Sequence, residues 1–157
     1  MKLNIGCGDV KIEGYIGVDL RKTDAVDLIH DVSLPFPFQN NTCEDIIADD
    51  ILEHFSFRMT EGIFKMWVGL LKRGGRIRLM VPNLEAHFKI WQEKCENGKE
   101  IGIERMREIL YGKQDYKGNT HYTTFTVWAV EDLFNAAGLK IMSIREKGKN
   151  IIAWGEK

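Results

Sequence analysis

The sequence predicts an α/β fold built on a mostly parallel sheet, and two observations support this. Short apolar segments alternate along the chain with segments of helical periodicity, a pattern typical of parallel strands joined by helices. Gly6 and Gly8 directly follow the first apolar segment, and Asp19 ends the second. Open α/β sheets bind ligands at the carboxyl ends of their strands. We therefore expect a single domain over residues 1–157 with a ligand site at that edge.

The first half of the chain predicts five strands and one long helix. Short apolar segments predict the first four strands, at Leu3–Ile5, Ile16–Val18, Asp27–Asp31 and Asp45–Asp49. A helical stripe follows, made of Ile63, Met66, Trp67, Leu70 and Leu71. Gly74 and Gly75 are expected to end this helix, because glycine adopts a left-handed C-cap at little cost. Arg76–Val81 is the expected fifth strand, and Pro82 ends it.

Residues 83–124 are predicted to form a helical and loop insertion after the fifth strand. Asn83 can cap its first helix, and Gly98 lies beyond the helix end. The apolar stripe of that helix contains Leu84, His87, Phe88, Trp91 and Cys95. A second helix carries Met106, Ile109 and Leu110, and a polar loop runs from Tyr111 to Thr124. Because loops of this kind vary with substrate, the insertion is expected to contact the substrate.

The last third of the chain predicts one more helix and a closing hairpin. The helix carries an apolar stripe of Val130, Leu133, Phe134 and Ala137. Gly138 is expected to end it. Leu139–Arg145 and Asn150–Trp154 then form two strands joined by a short polar turn.

Composition excludes several classes of protein. The chain of 157 residues is 44% hydrophobic and 29% charged, with a formal net charge of −1. It therefore lacks the basic character of a nucleic-acid-binding domain, since the basic residues between Lys89 and Lys117 are interleaved with acidic ones. The apolar runs are too short for a membrane span, and no signal segment is visible, so we expect a cytoplasmic protein. Cys7, Cys43 and Cys95 have neither disulfide nor metal-ligand spacing, and no metal site is expected.

The spacing around the first glycines discriminates between two kinds of nucleotide ligand. A dinucleotide-binding loop has three glycines and an acidic residue about 20 positions further on. Here the third glycine is absent, and Asp19 follows Gly6 by thirteen residues. The chain also lacks a Tyr-x-x-x-Lys pair. A nicotinamide-dependent oxidoreductase is therefore disfavoured.

Five segments resemble, in order, the compact type 11-like class I methyltransferases that use S-adenosylmethionine (SAM). They are Leu3–Gly8, Gly17–Asp19, His30–Pro37, Ile46–His54 and Leu70–Leu79. With the order of the elements and the closing hairpin, the resemblance extends over nearly the whole chain. The main departure within them is Arg73, which replaces a common proline. The resemblance implies a seven-stranded, Rossmann-like sheet of order 3-2-1-4-5-7-6 with strand seven antiparallel, and SAM as the cofactor.

The resemblance also implies a set of cofactor-binding residues. They are Asn4, Gly6, Cys7, Gly8, Asp19, Leu20, Asp31, Val32 and Asp49. Local alternatives exist for some of them: Cys7 suits a small spacer, and Asp31 suits a turn former or helix cap. For Asp50 and Glu53, capping of a following helix is the preferred interpretation.

Methyl transfer needs a general base only when the acceptor must lose a proton. His54 follows the fourth strand, and His121 lies in the polar loop before the last helix, so both are candidate catalytic residues. His87 is expected to be a partly buried packing residue on the apolar stripe of its helix. His30 is expected to point across the third strand from the ligand. The leading prediction is a SAM-dependent transferase acting on a small molecule or glycan, by O-methylation. A catalytically silent SAM-binding or scaffold protein is the main alternative.

The connections between the first three strands are too short for covering helices. Only six residues span Asp9 to Gly14 and seven span Leu20 to Val26, whereas a parallel crossover usually takes a dozen or more. Parallel sheets are covered on both faces in almost every case. We therefore expect reduced helices here, and either the insertion or a second copy of the chain as cover. A homodimer is the favoured prediction.

Overall fold

A computed structural model describes residues 1–96, 103–116 and 118–157. Its strands are β1 Lys2–Ile5, β2 Ile16–Asp19, β3 Leu28–Ile29, β4 Cys43–Asp49, β5 Leu71–Pro82, β6 Lys140–Lys147 and β7 Asn150–Glu156. Its helices are α1 Thr60–Leu70, α2 Leu84–Glu96, α3 Ile103–Tyr111 and α4 Val127–Ala136, with a 3₁₀ turn at Leu52–His54. Among these residues, no helix is long and apolar enough to cross a bilayer.

All seven strands form one sheet of order β3-β2-β1-β4-β5-β7-β6. Strands β1 to β5 pair in parallel, and β7 runs antiparallel to both β5 and β6. The predicted strand order and the antiparallel seventh strand are confirmed. The carboxyl ends of β1, β2 and β4 consequently lie side by side.

The hydrophobic core lies between one face of the sheet and helices α1 and α4. Phe64, Trp67 and Phe134 are its largest fully buried side chains, and the rings of Phe64 and Phe134 lie 5.1 Å apart. Trp67 buries its indole N–H as well, by donating a 2.8 Å hydrogen bond to the carbonyl of Val32. Because a buried indole N–H needs a partner, this bond fixes the chain just after β3 against the core.

Helix α1 ends earlier than the glycines predict. Its last residue is Leu70, and Leu71 is already extended and paired with Cys43 of β4. Gly74 lies within the span of β5, where its φ of +74° accommodates an irregularity in the pairing with β4. The prediction that Gly74 and Gly75 end the helix is therefore wrong. Strand pairing ends it, and Lys157 donates hydrogen bonds to the carbonyls at its C-terminus.

The helices after β5 lie where the sequence predicts them, but the predicted apolar stripe of α2 is only partly buried. Asn83 caps α2 as predicted, since its Oδ1 accepts hydrogen bonds from the backbone N–H groups of Glu85 and Ala86. His87 is buried, as expected, but Phe88 and Cys95 are exposed. The predicted helix end at Gly98 lies outside the described residues.

Tight loops replace the missing helices over β1 and β2. The backbone around Ala25 packs directly onto Gly17, where a Cβ atom would lie 2.1 Å from the carbonyl oxygen of Ala25. Asp27 fixes this loop, because Gly17 donates its N–H to the Asp27 carboxylate at 2.8 Å and the Asp27 N–H returns a 2.8 Å bond to the Gly17 carbonyl. The loop itself thus covers β2, and neither the insertion nor a second chain is needed there.

The same face of the sheet is charged further along, at β4, β5 and β7. Asp49 forms a bidentate ion pair with Arg78, whose guanidinium lies 5.8 Å from the ring centroid of Trp154. Arg76 pairs with Glu156 at 3.3 Å. These three strands therefore present charged pairs on this face. The homodimer was predicted from the face of the first three strands, and it stays a prediction.

Candidate cofactor site

A cavity of about 610 Å³ opens at the carboxyl ends of β1, β2 and β4. All nine residues proposed from the sequence as cofactor contacts line it, namely Asn4, Gly6, Cys7, Gly8, Asp19, Leu20, Asp31, Val32 and Asp49. They come from four separate segments of the chain. The parallel strand order brings these segments together at one edge of the sheet.

The glycine loop after β1 can adopt its path only with glycine at its first position. Gly6 has a φ of +67°, and a Cβ atom there would lie 2.5 Å from the side chain of Ile51. The N–H groups of Gly6 and Cys7 both donate to the carbonyl of Val18, at 2.8 and 3.1 Å. The loop is therefore held against β2, and its inner surface is bare backbone that a ligand can approach closely.

Asp19 closes the loop from the other side. Its Oδ2 accepts a 2.9 Å hydrogen bond from the N–H of Gly8, and its Oδ1 accepts a 2.8 Å bond from the N–H of Arg21. A carboxylate has about four lone-pair positions. These two bonds therefore leave Asp19 able to accept further hydrogen bonds from ligand hydroxyl groups in the cavity.

Asp31 forms a turn and also lines the cavity. Its Oδ1 accepts hydrogen bonds from the N–H and the hydroxyl of Ser33, at 3.0 and 2.6 Å, so it forms a turn. The Ser33 hydroxyl bond is the main reason why the pKa of Asp31 is lowered. Asp31 and Val32 nevertheless line the cavity, because the turn is fixed by the bond from Trp67 to Val32.

Cys7 lies in the buried part of the site, and Leu20 lies at its rim. The Cys7 thiol is buried and lies 3.8 Å from the carbonyl of Ala25. Burial, and then the charge of Asp19, raise its pKa, so the thiol is neutral and has the character of a spacer. Leu20 lies at the exposed rim, with 68% of its surface accessible.

Asp49 points into the cavity from the end of β4 but is paired with Arg78, which also lines it. Sequence reasoning missed Arg78. The signal was the alternation of Arg76-Ile-Arg-Leu along β5, which places Arg78 on the same face as Asp49 once the strands pair.

The preferred interpretation of Asp50 and Glu53 as helix caps is wrong. The 3₁₀ turn at Leu52–His54 begins after Ile51 and has no side-chain cap. Asp50 has a positive φ of 50° and lines the cavity, where partial burial of the carboxyl group and then the charge of Asp49 raise its pKa to about 6. Glu53 is turned into the protein interior instead, and is only 2% exposed.

Glu53 is a buried carboxyl group with an unsatisfied atom. Burial is the main cause that raises its pKa to about 8. Among the described residues, its Oε2 has no hydrogen-bond partner. Its backbone carbonyl is occupied, because it accepts bonds from the N–H groups of Tyr122 and Thr123 at 2.9 and 3.3 Å.

The two candidate catalytic histidines lie together, although 66 residues separate them. Their ring centroids are 5.0 Å apart. His54 lines the main cavity, whereas His121 lines a small neighbouring pocket. Burial lowers the pKa of His54, and the facing His121 ring adds to this. Contrary to the prediction, His30 also lines the cavity.

The structure brings together one group of side chains that could hold a metal ion, although no spacing in the sequence indicated such a group. A carboxylate oxygen of Glu53 and one ring nitrogen from each of His54 and His121 lie within 4.8 Å of one another. No local spacing in the sequence indicated this, because His121 arrives from the loop after α3.

The insertion reaches the cavity through Tyr116 and Gly118, which line it. The Tyr116 ring lies under the guanidinium of Arg21, 4.8 Å from ring centroid to Cζ. The contact joins the insertion to the residues that follow Asp19.

No protein-family model matches the sequence, and no curated protein matches it. Solved structures do. A SAM-dependent methyltransferase from Methanosarcina mazei superposes with a TM-score of 0.68 at 16% identity, over 99% of this chain and 91% of that one. A 1,6-didemethyltoxoflavin-N1-methyltransferase from Burkholderia thailandensis, with S-adenosylhomocysteine bound, gives 0.67 at 13% identity, over 99% and 70%.

A third similar structure is an O-methyltransferase family protein from Burkholderia thailandensis. It superposes with a TM-score of 0.64 at 12% identity, over 99% of this chain but 50% of that one. The chain has the class I methyltransferase fold. This fold explains why four sequence segments converge on one cavity, since its strand order places β1, β2 and β4 next to each other.

Proposed function

We propose that this chain is a methyltransferase that binds SAM in the cavity at the ends of β1, β2 and β4. The observation that carries the proposal is the convergence of the glycine loop, Asp19 and Asp31 on one cavity of about 610 Å³, in a class I methyltransferase fold. A cavity of that volume is within the range that holds a cofactor. The similar structures support the same choice of cofactor.

The residues that line the cavity suit different parts of SAM. Asp19 is proposed to accept hydrogen bonds from the ribose hydroxyls, because its carboxylate faces the cavity from the end of β2. Gly6 and Gly8 would let the backbone approach the ligand closely. Asp31 and Val32 are proposed to contact the adenine, since they lie on the far side of Asp19 from β1 and β4.

The acceptor is proposed to enter beside His54 and Asp50, which line the cavity just after β4. With SAM bound, an acceptor hydroxyl would lose its proton to water in the open cavity. Its oxygen would bond to the methyl carbon while the carbon–sulfur bond breaks and its electron pair passes to sulfur. The chain's task is to hold oxygen, methyl and sulfur in line. The polar character of this part of the cavity favours a hydroxyl group of a small molecule or glycan as acceptor.

Titration calorimetry with S-adenosylhomocysteine tests cofactor binding. Asp19→Ala should weaken affinity roughly tenfold to 150-fold, because it removes charge-assisted hydrogen bonds worth about 1.5–3 kcal/mol. Asp24→Ala is the matched control, since Asp24 is exposed and does not line the cavity. Equal affinity of wild type and Asp19→Ala would contradict the proposal.

Incubation with SAM and panels of hydroxyl, amine and carboxylate acceptors tests catalysis. Formation of S-adenosylhomocysteine only with hydroxyl acceptors would support O-methylation. Tight cofactor binding without turnover on any acceptor would instead favour a silent SAM-binding protein.

A further inference from the structure

Glu53, His54 and His121 form a cluster, here called the EHH cluster, between the main cavity and the small pocket beside it. The two histidine rings meet at 5.0 Å between centroids, with His54 lining the cavity and His121 the pocket. Two imidazoles and one carboxylate are a set of ligands that divalent transition ions prefer.

In each of the two histidines, Nδ1 is hydrogen-bonded to a backbone carbonyl, and this bond determines the protonation of Nε2. Nδ1 of His54 lies 3.1 Å from the carbonyl of Thr120, and Nδ1 of His121 lies 3.0 Å from the carbonyl of Ile109. A backbone carbonyl can only accept, so each Nδ1 carries the hydrogen in the neutral ring. Nε2 then has the lone pair, and a carbonyl partner on Nδ1 is the usual arrangement behind a metal-ligating histidine.

Glu53 gives the cluster an independent reason to take a cation. Its side chain is only 2% exposed, and its Oε2 has no partner among the described residues. A buried polar atom without a partner is costly. A cation bound to this carboxylate would neutralise it and offset the cost of its burial.

The loop that carries His121 is fixed to the residue that carries the carboxylate. The N–H groups of Tyr122 and Thr123 both donate to the Glu53 carbonyl, at 2.9 and 3.3 Å. The position of His121 beside Glu53 is therefore set by backbone hydrogen bonds as well as by ring contact. Three ligand groups on rigidly joined segments are what a binding site for an ion requires.

The dimensions of the cluster are close to those of an occupied site. The candidate ligand atoms lie within 4.8 Å of one another. Ligands about 2.1 Å from a shared ion stand about 3 to 4 Å apart. The candidate ligand atoms need to move about an ångström closer together, which small side-chain rotations can supply.

We propose that the EHH cluster binds one divalent transition-metal ion at the wall of the cavity. Three protein ligands leave coordination positions open, and the position of His54 on the cavity wall lets an acceptor occupy one of them. The ion's role in methyl transfer rests on the proposed function, whereas ion binding rests on the cluster alone. Two nitrogen ligands favour Mn²⁺, Co²⁺ or Zn²⁺ over Mg²⁺ or Ca²⁺.

An ion here would activate an acceptor hydroxyl. Coordination lowers the pKa of a bound hydroxyl, so its proton passes to water in the open cavity. The oxygen would then bond to the methyl carbon of SAM while the carbon–sulfur bond breaks and its electron pair passes to sulfur. In this role His54 and His121 act as ligands, and neither has to act as the base.

Metal binding is measured directly, without an acceptor. Mn²⁺ binding is followed by electron paramagnetic resonance and Co²⁺ binding by its visible absorption, on wild type and on Glu53→Gln, His121→Gln and Glu104→Gln. Wild type should bind one ion per chain. Loss of a direct ligand should weaken affinity by more than the roughly 10–100-fold that a supporting residue costs. Glu104 is the control, because it is an exposed acid of α3 in an exposed ion pair with Arg107.

Binding of S-adenosylhomocysteine by the same variants separates the two proposals. Retained cofactor affinity in Glu53→Gln together with lost Mn²⁺ binding supports the metal site and shows an intact fold. Metal binding without cofactor binding would support the site and contradict the proposed function. Absence of saturable Mn²⁺ and Co²⁺ binding in wild type, or equal binding in Glu53→Gln and Glu104→Gln, would overturn the metal site.

Discussion

Substitution of Gly6 by alanine tests whether the glycine loop is shaped by packing as well as by backbone conformation. Gly6 and Gly14 both have positive φ, at +67° and +79°. A Cβ atom at Gly6 would lie 2.5 Å from Ile51, whereas one at Gly14 would meet nothing within 4 Å. Alanine therefore adopts a left-handed conformation at both positions, but it overlaps with a neighbouring side chain only at Gly6.

The magnitudes follow from these two costs. A left-handed conformation costs an alanine about 1–2 kcal/mol, and this applies to both variants. Overpacking adds about 1–3 kcal/mol, and this applies to Gly6→Ala alone. We expect Gly14→Ala to lower the free energy of unfolding by about 1–2 kcal/mol and Gly6→Ala by about 2–5 kcal/mol.

Urea denaturation measures the stability difference, and calorimetry with S-adenosylhomocysteine measures the effect on the site. Gly6→Ala should also lose cofactor affinity, because moving Ile51 or the loop displaces two parts of the cavity wall. Gly14 does not line the cavity, so Gly14→Ala should keep it. Equal destabilisation by the two substitutions would refute the packing argument.

Two further predictions concern charged groups. Arg78→Met should lower the free energy of unfolding by about 1–3 kcal/mol, because it leaves the partly buried Asp49 carboxylate unpaired. Arg76→Met breaks the more exposed pair with Glu156 and should change the free energy of unfolding by only about 0.5 kcal/mol. Equal effects of the two substitutions in denaturant titrations would contradict this prediction. Without added metal, Glu53 should make the free energy of unfolding fall as pH rises, since folding raises its pKa from 4.5 to about 8. The stabilisation that Glu53 contributes is complete below the unfolded-state pKa and is lost as the pH rises through the folded-state pKa. Glu53→Gln should remove that part of the pH dependence, and an unchanged pH profile would show that Glu53 does not titrate as described.

The predictions that failed were local interpretations that the tertiary structure overrode. Gly74 and Gly75 look like a helix end, but pairing of Leu71 with Cys43 ends α1 first. Asp50 and Glu53 have the spacing of a capping pair, but a 3₁₀ turn directs Glu53 into the interior. Local spacing gives no information about which neighbour a segment will meet.

The sequence by itself determined the strand order, through the resemblance, and nine of the residues that line the cavity. These residues lie at or just after strand ends, and a parallel sheet gathers such positions at one edge. Only the tertiary structure decided which charged groups face each other. The pairing of β4 with β5 brings Arg78 to Asp49, and the loop after α3 brings His121 to Glu53 and His54. Contacts between residues so far apart in the chain depend on register and loop path, which no pattern within one segment encodes.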